Sequence, residues 1–140
     1  MNSELAVRDK INGMLAQGAG QAFCSIKTEG DRKKAKLVYN ALNNPEYRVA
    51  DFINKTINVV DILIETAEIG NEETGEISVV PRVVLIDDEG KAYQSVSVGM
   101  FNAVKNAVTI FGDPSWNPPL PMHIKQRSVK NGSMLTADID

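Results

Sequence analysis

The residues with the most chemical potential stand at alternate positions near the end of the chain: His123, Lys125 and Arg127, with Lys130 three residues on. Alternation puts the first three on one face of an extended strand and Met122, Ile124 and Gln126 on the other. One face packs, and the other offers a row of cations to an anionic partner. Other chemistry is scarce. One histidine and one cysteine do not build a Cys/His zinc site. There is no phosphate-cradling P-loop and no nucleophile elbow. Gly18-Ala19-Gly20 follows no strand of the kind a dinucleotide site needs. Asp87-Asp88, just before Glu89-Gly90, reads as a solvated turn rather than a metal pair. No catalytic residue, metal or cofactor is expected.

Aromatic rings near cations extend the candidate surface. A flexible single-stranded nucleic acid is held by bases stacked on rings and by cations tracking phosphates. Tyr93 stands two residues from Lys91, Tyr47 adjoins Arg48, and Trp116 sits in the proline-rich loop 114–119. Arg82 alternates with apolar Val83. Each also has a structural reading: Tyr93 capping the core, Trp116 plugging one end of a barrel, the cations forming a solvated face. Arg32-Lys33-Lys34 opens a helix against its dipole at small cost and reads first as a solvated end. Phe101 and Phe111 read as core.

Positioning these side chains takes one domain, and 140 residues suffice for a real core. A net charge of −3 does not exclude a polyanionic ligand, because acidic residues gather at 65–76 and 87–89 and basic ones at 32–36 and 125–130. No apolar run spans a membrane, and Met1 to Glu4 lacks a secretory profile. Cys24, lying in a short apolar segment, is expected to be a buried inert thiol suited to a reducing cytoplasm.

The apolar periodicity predicts a helix from Ser3, its cap, to about Gln17, and a short strand over 22–27. A second helix runs from an Asp31 cap to about Leu42. Residues 47–55 read as a turn-rich stretch anchored by Val49, Phe52 and Ile53. Strands follow at 57–69, 77–87 and 91–96, with Pro81 marking an edge or bulge. A helix over 98–111 is capped by Ser95 or Ser97, and strands at 120–129 and 133–139 join through Asn131-Gly132. A two-residue loop there pairs Lys130 with Ser133, Arg127 with Thr136 and Lys125 with Asp138, with Leu135, Ala137 and Ile139 on the core side. From residue 57 the order is strand, strand, strand, helix, strand, strand. It predicts a mainly β chain: a five-stranded OB-fold barrel over 56–140, with residues 1–55 as a helical extension packed on it.

The segment Asp88-Glu89-Gly90-Lys91-Ala92-Tyr93-Gln94-Ser95, with the helix, basic strand and final hairpin that follow, resembles the single-stranded DNA-binding proteins of Bacillus podoviruses that replicate by protein priming. Those proteins show an acidic-Gly-x-x-Tyr-Ser turn and strand at this place. Residues 23–41 and 56–68 are similar in order and spacing, whereas Phe111 to Pro118 and the N-terminal helix depart from the pattern. The resemblance implies an OB-fold that coats displaced single strands during phage DNA replication without sequence preference, in the host cytoplasm. It points to Tyr93 as a stacking residue and to Lys125 and Arg127 as phosphate contacts. Combined with the residue reading, the expected contact set is Tyr47, Arg48, Arg82, Lys91, Tyr93, Trp116, His123, Lys125, Arg127 and Lys130. Replication proteins and self-assembly stay open as further partners. Two rivals remain: an OB-fold protein-interaction module of a replication complex, docking through the acidic hairpin at 65–76 or the N-terminal helix, and a small ligand-binding barrel or enzyme, which the scarcity of reactive groups disfavours.

Overall fold

The computed structural model describes residues 7–130 and 132–140. It is mainly β, with three α-helices and a seven-stranded curled sheet. In chain order the elements are α1 (Val7–Gly13), β1 (Ala22–Cys24), α2 (Arg32–Asn43) and β2 (Tyr47–Arg48). A 3-10 turn (Val49–Phe52) follows, then β3 (Thr56–Gly70), β4 (Ile77–Asp87), β5 (Ala92–Ser95), α3 (Val98–Phe111), β6 (Leu120–Val129) and β7 (Gly132–Ile139). The expected Ser3 cap lies outside the described residues. α1 stops at Gly13 rather than near Gln17.

Caps and breakers set the helices where local chemistry demands. The Asp31 side chain accepts the Lys34 N–H, and Ser97 accepts that of Met100, so each helix begins with an orphan donor satisfied. α3 ends at Gly112, which takes the positive φ of 90° that favours glycine.

The sheet order is β2-β5-β4-β3-β6-β7, with β1 added to the free edge of β3 at Leu63–Glu65. The long β3 is shared: Thr56–Val59 pairs with β6, and Val59–Gly70 pairs with β4. A register shift between Val59 and Asp61 marks where the strand bends from one partner to the other. Pro81 lies beyond Val83, the last β4 residue paired with β5, so it occupies a stretch where β4 is an edge.

Alternation sorts the apolar residues onto two faces. The inner face (Ile57, Val59, Ile62, Ile64, Val83, Leu85, Met122 and Ile124) packs under α3 (Met100, Phe101, Val104, Val108) and α1 (Ile11, Met14). The outer face of β3, β4 and β5 (Leu63, Val84, Ile86 and Ala92) is covered by α2 through Leu37, Val38, Ala41 and Leu42. The apolar run at 62–64 is therefore buried on both sides, as its lack of alternation requires. Phe111, expected in the core, is 50% exposed at the end of α3. Its turn of the helix runs past the sheet.

No ladder joins β5 to β7 among the described residues. Residues 47–55 bridge that side instead. Tyr47–Arg48 pairs in parallel with Tyr93–Gln94, and the Asn54 N–H and Lys55 carbonyl bond to Ile124 of β6. α3 closes against β7 at Gly99, where a Cβ would lie 2.0 Å from the Leu135 carbonyl oxygen.

The final hairpin differs from the expected register by two residues. Ser128 pairs with Ser133, Arg127 with Met134, Lys125 with Thr136 and His123 with Asp138. The loop closes between Val129 and Gly132, and Gly132 itself takes a positive φ of 135°. Asn131 lies outside the described residues. A slip of two leaves every side chain on its expected face, so Ile124 still sits with Ala137 and Ile139. Lys125 still meets Asp138, but as a diagonal neighbour rather than a directly opposed one. Gln126 is exposed, because the hairpin runs past the core edge.

Candidate nucleic-acid interface

Three rings meet at the bridge formed by residues 47–55. The β2–β5 pairing sets Tyr47 beside Tyr93, and their rings stack with centroids 5.1 Å apart at 25°. Phe52 stands edge-on to both, at 5.3 Å from Tyr47 and 5.0 Å from Tyr93. Tyr93 is the buried member at 6% exposure, and Tyr47, at 36%, presents the ring that meets solvent. The expected stacking residue Tyr93 thus backs the platform, and its neighbour forms the open surface.

An acidic turn fixes Tyr93. Its hydroxyl donates to Asp87 Oδ2 at 2.8 Å, while Asp87 Oδ1 accepts the N–H groups of Glu89 and Lys91, each at 2.9 Å. The Asp87 carboxylate has three donors, which explains its burial. Asp87, Asp88 and Glu89 bring carboxylate oxygens within 4.8 Å of one another, but the buried one is consumed by the turn. Burial, then the Asp87 hydrogen bond and charge, push the Tyr93 pKa well above its ordinary 10.

One cation lies over the ring cluster. Lys55 Nζ lies 5.6 Å from the Phe52 centroid, within cation–π range. Arg48 is exposed and pairs with Asp51 at 3.2 Å. An exposed pair of this kind is weak, so the guanidinium can exchange partners. Lys91 is half-buried on the same turn. The structure thus brings together Tyr47 and Tyr93 from the expected set, while Arg48, paired with Gln94, takes the other face of β2 and Lys91 is tied to Asp87 through its backbone N–H. It adds Phe52 and Lys55, which the sequence reading did not assign to the site. Their signal was present as rings interleaved with cations across Tyr47-Arg48, Phe52 and Lys55.

Two expected members are structural. Trp116 is 6% exposed, and its indole N–H donates to the Gly112 carbonyl at 2.9 Å. The proline-rich loop folds it inward, because the α3 C-terminus offers the acceptor that a buried indole requires. Arg82 points to the outer face, where its guanidinium donates to Glu65 at 3.0 Å, to Gln94 and to the Leu42 carbonyl at 2.8 Å. It ties β3, β4, β5 and the end of α2 together. With α2 packed over β4 and β5, that face of the two strands is covered.

The β6 cations form a second row. His123 Nδ1 is 3.1 Å from Thr56 Oγ1 and 3.7 Å from an Asp140 carboxylate oxygen, and Lys125 is paired with Asp138. Arg127 and Lys130 are exposed, with no ion pair among the described residues. Arg127 lines a groove of about 700 Å³ between α3 and β7, beside Asn102, Asn106 and Phe111. The Asn54–Lys55 bond to Ile124 sets the ring cluster against this strand. Cys24 is exposed on the edge strand β1, contrary to the expected burial, because no strand among the described residues pairs with the outer edge of β1. Partial desolvation still pushes its thiol pKa up, which keeps it protonated.

The curled sheet thus sets the Tyr47, Phe52 and Tyr93 rings beside Lys55, with the β6 cations on the adjoining strand. The chain belongs to the phage single-stranded DNA-binding protein family, whose model matches residues 18–140. No curated protein and no solved structure matches it.

Proposed function

We propose that the chain coats and protects single-stranded DNA during phage replication, in the host cytoplasm and without sequence preference. It is non-catalytic and uses no cofactor. We read the fold as an OB barrel. The run β5-β4-β3-β6-β7 is the order of such a barrel opened between its third and fifth strands, with α3 between the third and fourth. Residues 1–55 act as an extension that covers the outer face with α2 and the seam with residues 47–55. No described helix is long and apolar enough to cross a membrane.

Bases stack on Tyr47, held rigid by Tyr93 and Phe52. Arg48, Lys55 and Lys91 neutralise phosphates. His123, Lys125, Arg127 and Lys130 extend the track along β6. Arg82 and Trp116 hold the framework. The observation that carries this reading is the exposed Tyr47 ring stacked on a buried, hydrogen-bonded Tyr93, with Lys55 over the adjoining Phe52 ring. Any base offers a π-face, so such a platform is indifferent to sequence. Anisotropy titration of a labelled polypyrimidine oligonucleotide tests it. Tyr47→Ala is expected to weaken binding roughly 5- to 150-fold, the equivalent of losing one stacked base, while Tyr47→Phe retains most of it. Equal loss in both variants would reject the platform.

A further inference from the structure

Beyond Thr66 and Pro81, β3 and β4 continue as a two-stranded ribbon with no third strand on either side among the described residues. It carries Glu68, Glu72, Glu73 and Glu76, all exposed and in no ion pair among the described residues, and no Lys or Arg occurs between positions 56 and 81. Ile69 and Ile77 are 53% and 67% exposed, one on each face of the ribbon. Among the described residues nothing covers either face.

The complementary feature is the first turn of α2. Arg32, Lys33, Lys34 and Lys36 are exposed and lack an ion pair among the described residues. The two features lie at opposite ends of the sheet. α2 runs antiparallel to β4. Leu37 lies 3.8 Å from where a Cβ on Gly90 would sit, at the β4–β5 turn, and the Leu42 carbonyl reaches Arg82 near the ribbon base. Residues 32–36 therefore lie toward the end away from the ribbon. A protomer cannot bring its own ribbon to its own basic turn.

We propose that the acidic ribbon of one copy docks on the basic first turn of α2 in the next copy, in a head-to-tail contact. A contact between different patches is heterologous, so it propagates from copy to copy, as an open row wherever the rotation between copies does not close a ring; an open row is the form suited to a protein laid along a strand. The occupant is a second copy because its own surface supplies the charge the ribbon lacks, with the exposed isoleucines as the apolar part of the contact. Exposed charges are screened beyond about 8–10 Å at moderate salt, so the association is salt-sensitive.

Sedimentation velocity without nucleic acid tests this independently of the DNA-binding reading. The wild type is expected to form concentration-dependent oligomers at low ionic strength that dissociate at high ionic strength. Glu72→Lys/Glu73→Lys and Lys33→Glu/Lys34→Glu are each expected to sediment as monomers. Mixing the two is expected to restore association, because each then finds an oppositely charged end. All four substitutions fall at exposed positions, and unchanged thermal melts confirm that both variants are folded. A wild type that stays monomeric at every concentration, or variants that still associate, would overturn the inference. So would a Lys33→Glu/Lys34→Glu variant whose only defect is weaker binding of an oligonucleotide short enough for one protomer.

Discussion

Tyr93→Phe removes one oxygen and little else. The ring keeps its contacts with Tyr47 and Phe52, but Asp87 Oδ2 loses its donor in a residue only 8% exposed. Leaving a buried acceptor unsatisfied costs about 1–3 kcal/mol. For a chain of this size that lowers the melting temperature by roughly 3–15 °C. The pH dependence carries the sharper signature. The folded-state pKa of Tyr93 is raised above 10, so its contribution is fully present below about pH 10. It is lost as pH rises from there through the folded pKa, because the unfolded chain releases its proton first. Each pH unit in that window removes about 1.4 kcal/mol, so the wild-type advantage over the Phe variant vanishes within about one or two units above pH 10. Thermal or urea unfolding of both proteins from neutral to alkaline pH measures this as a difference, in which the other titrating groups cancel. Oligonucleotide affinity at neutral pH is expected to change little, because the backing ring remains. A stability gap that holds constant across the alkaline range, or no gap at neutral pH, would refute the reasoning.

Gly99→Ala puts a Cβ 2.0 Å from the Leu135 carbonyl oxygen, where ordinary contact begins near 3.4 Å, so α3 and β7 must separate. We expect a loss of about 1–3 kcal/mol in denaturant unfolding, against almost none for Gly70→Ala, which meets nothing within 4 Å. Arg127→Ala is expected to weaken oligonucleotide binding at low salt and to reduce the magnitude of the salt slope by roughly 0.7, the value for one phosphate contact on a single strand. Arg82→Ala is expected to destabilise the fold in thermal melts without changing that slope, since its guanidinium is already committed to Glu65, Gln94 and Leu42.

The elements with chemical punctuation at both ends were legible. α3 runs from a serine cap to Gly112, and β4 and β6 are bounded by turns, so all three match their expected limits residue for residue. The hairpin register slipped by two because local turn propensity was read without the partner strand, whose core side chains fix faces but tolerate an even shift. For Tyr93 and Trp116 the sequence left a stacking and a structural reading open, because the groups that bury them, Tyr47, Phe52 and the Gly112 carbonyl, reach them only through the fold. For Arg82 the alternation with Val83 gave the face, but not the α2 carbonyl waiting on it. Of the site itself, cation–ring proximity at Tyr47-Arg48 was visible in the chain. The parallel pairing that stacks Tyr47 on Tyr93 was not, because it joins segments 46 residues apart by two residue pairs.

The central claim is that this surface holds a flexible polyanion by rings and cations together. Its most direct measurement is the affinity for an unstructured polypyrimidine oligonucleotide across a salt series. The account predicts tight binding in dilute buffer, with log K falling linearly with log salt at roughly −0.7 per phosphate contacted. Affinity that is absent in dilute buffer, or that ignores salt, would contradict it.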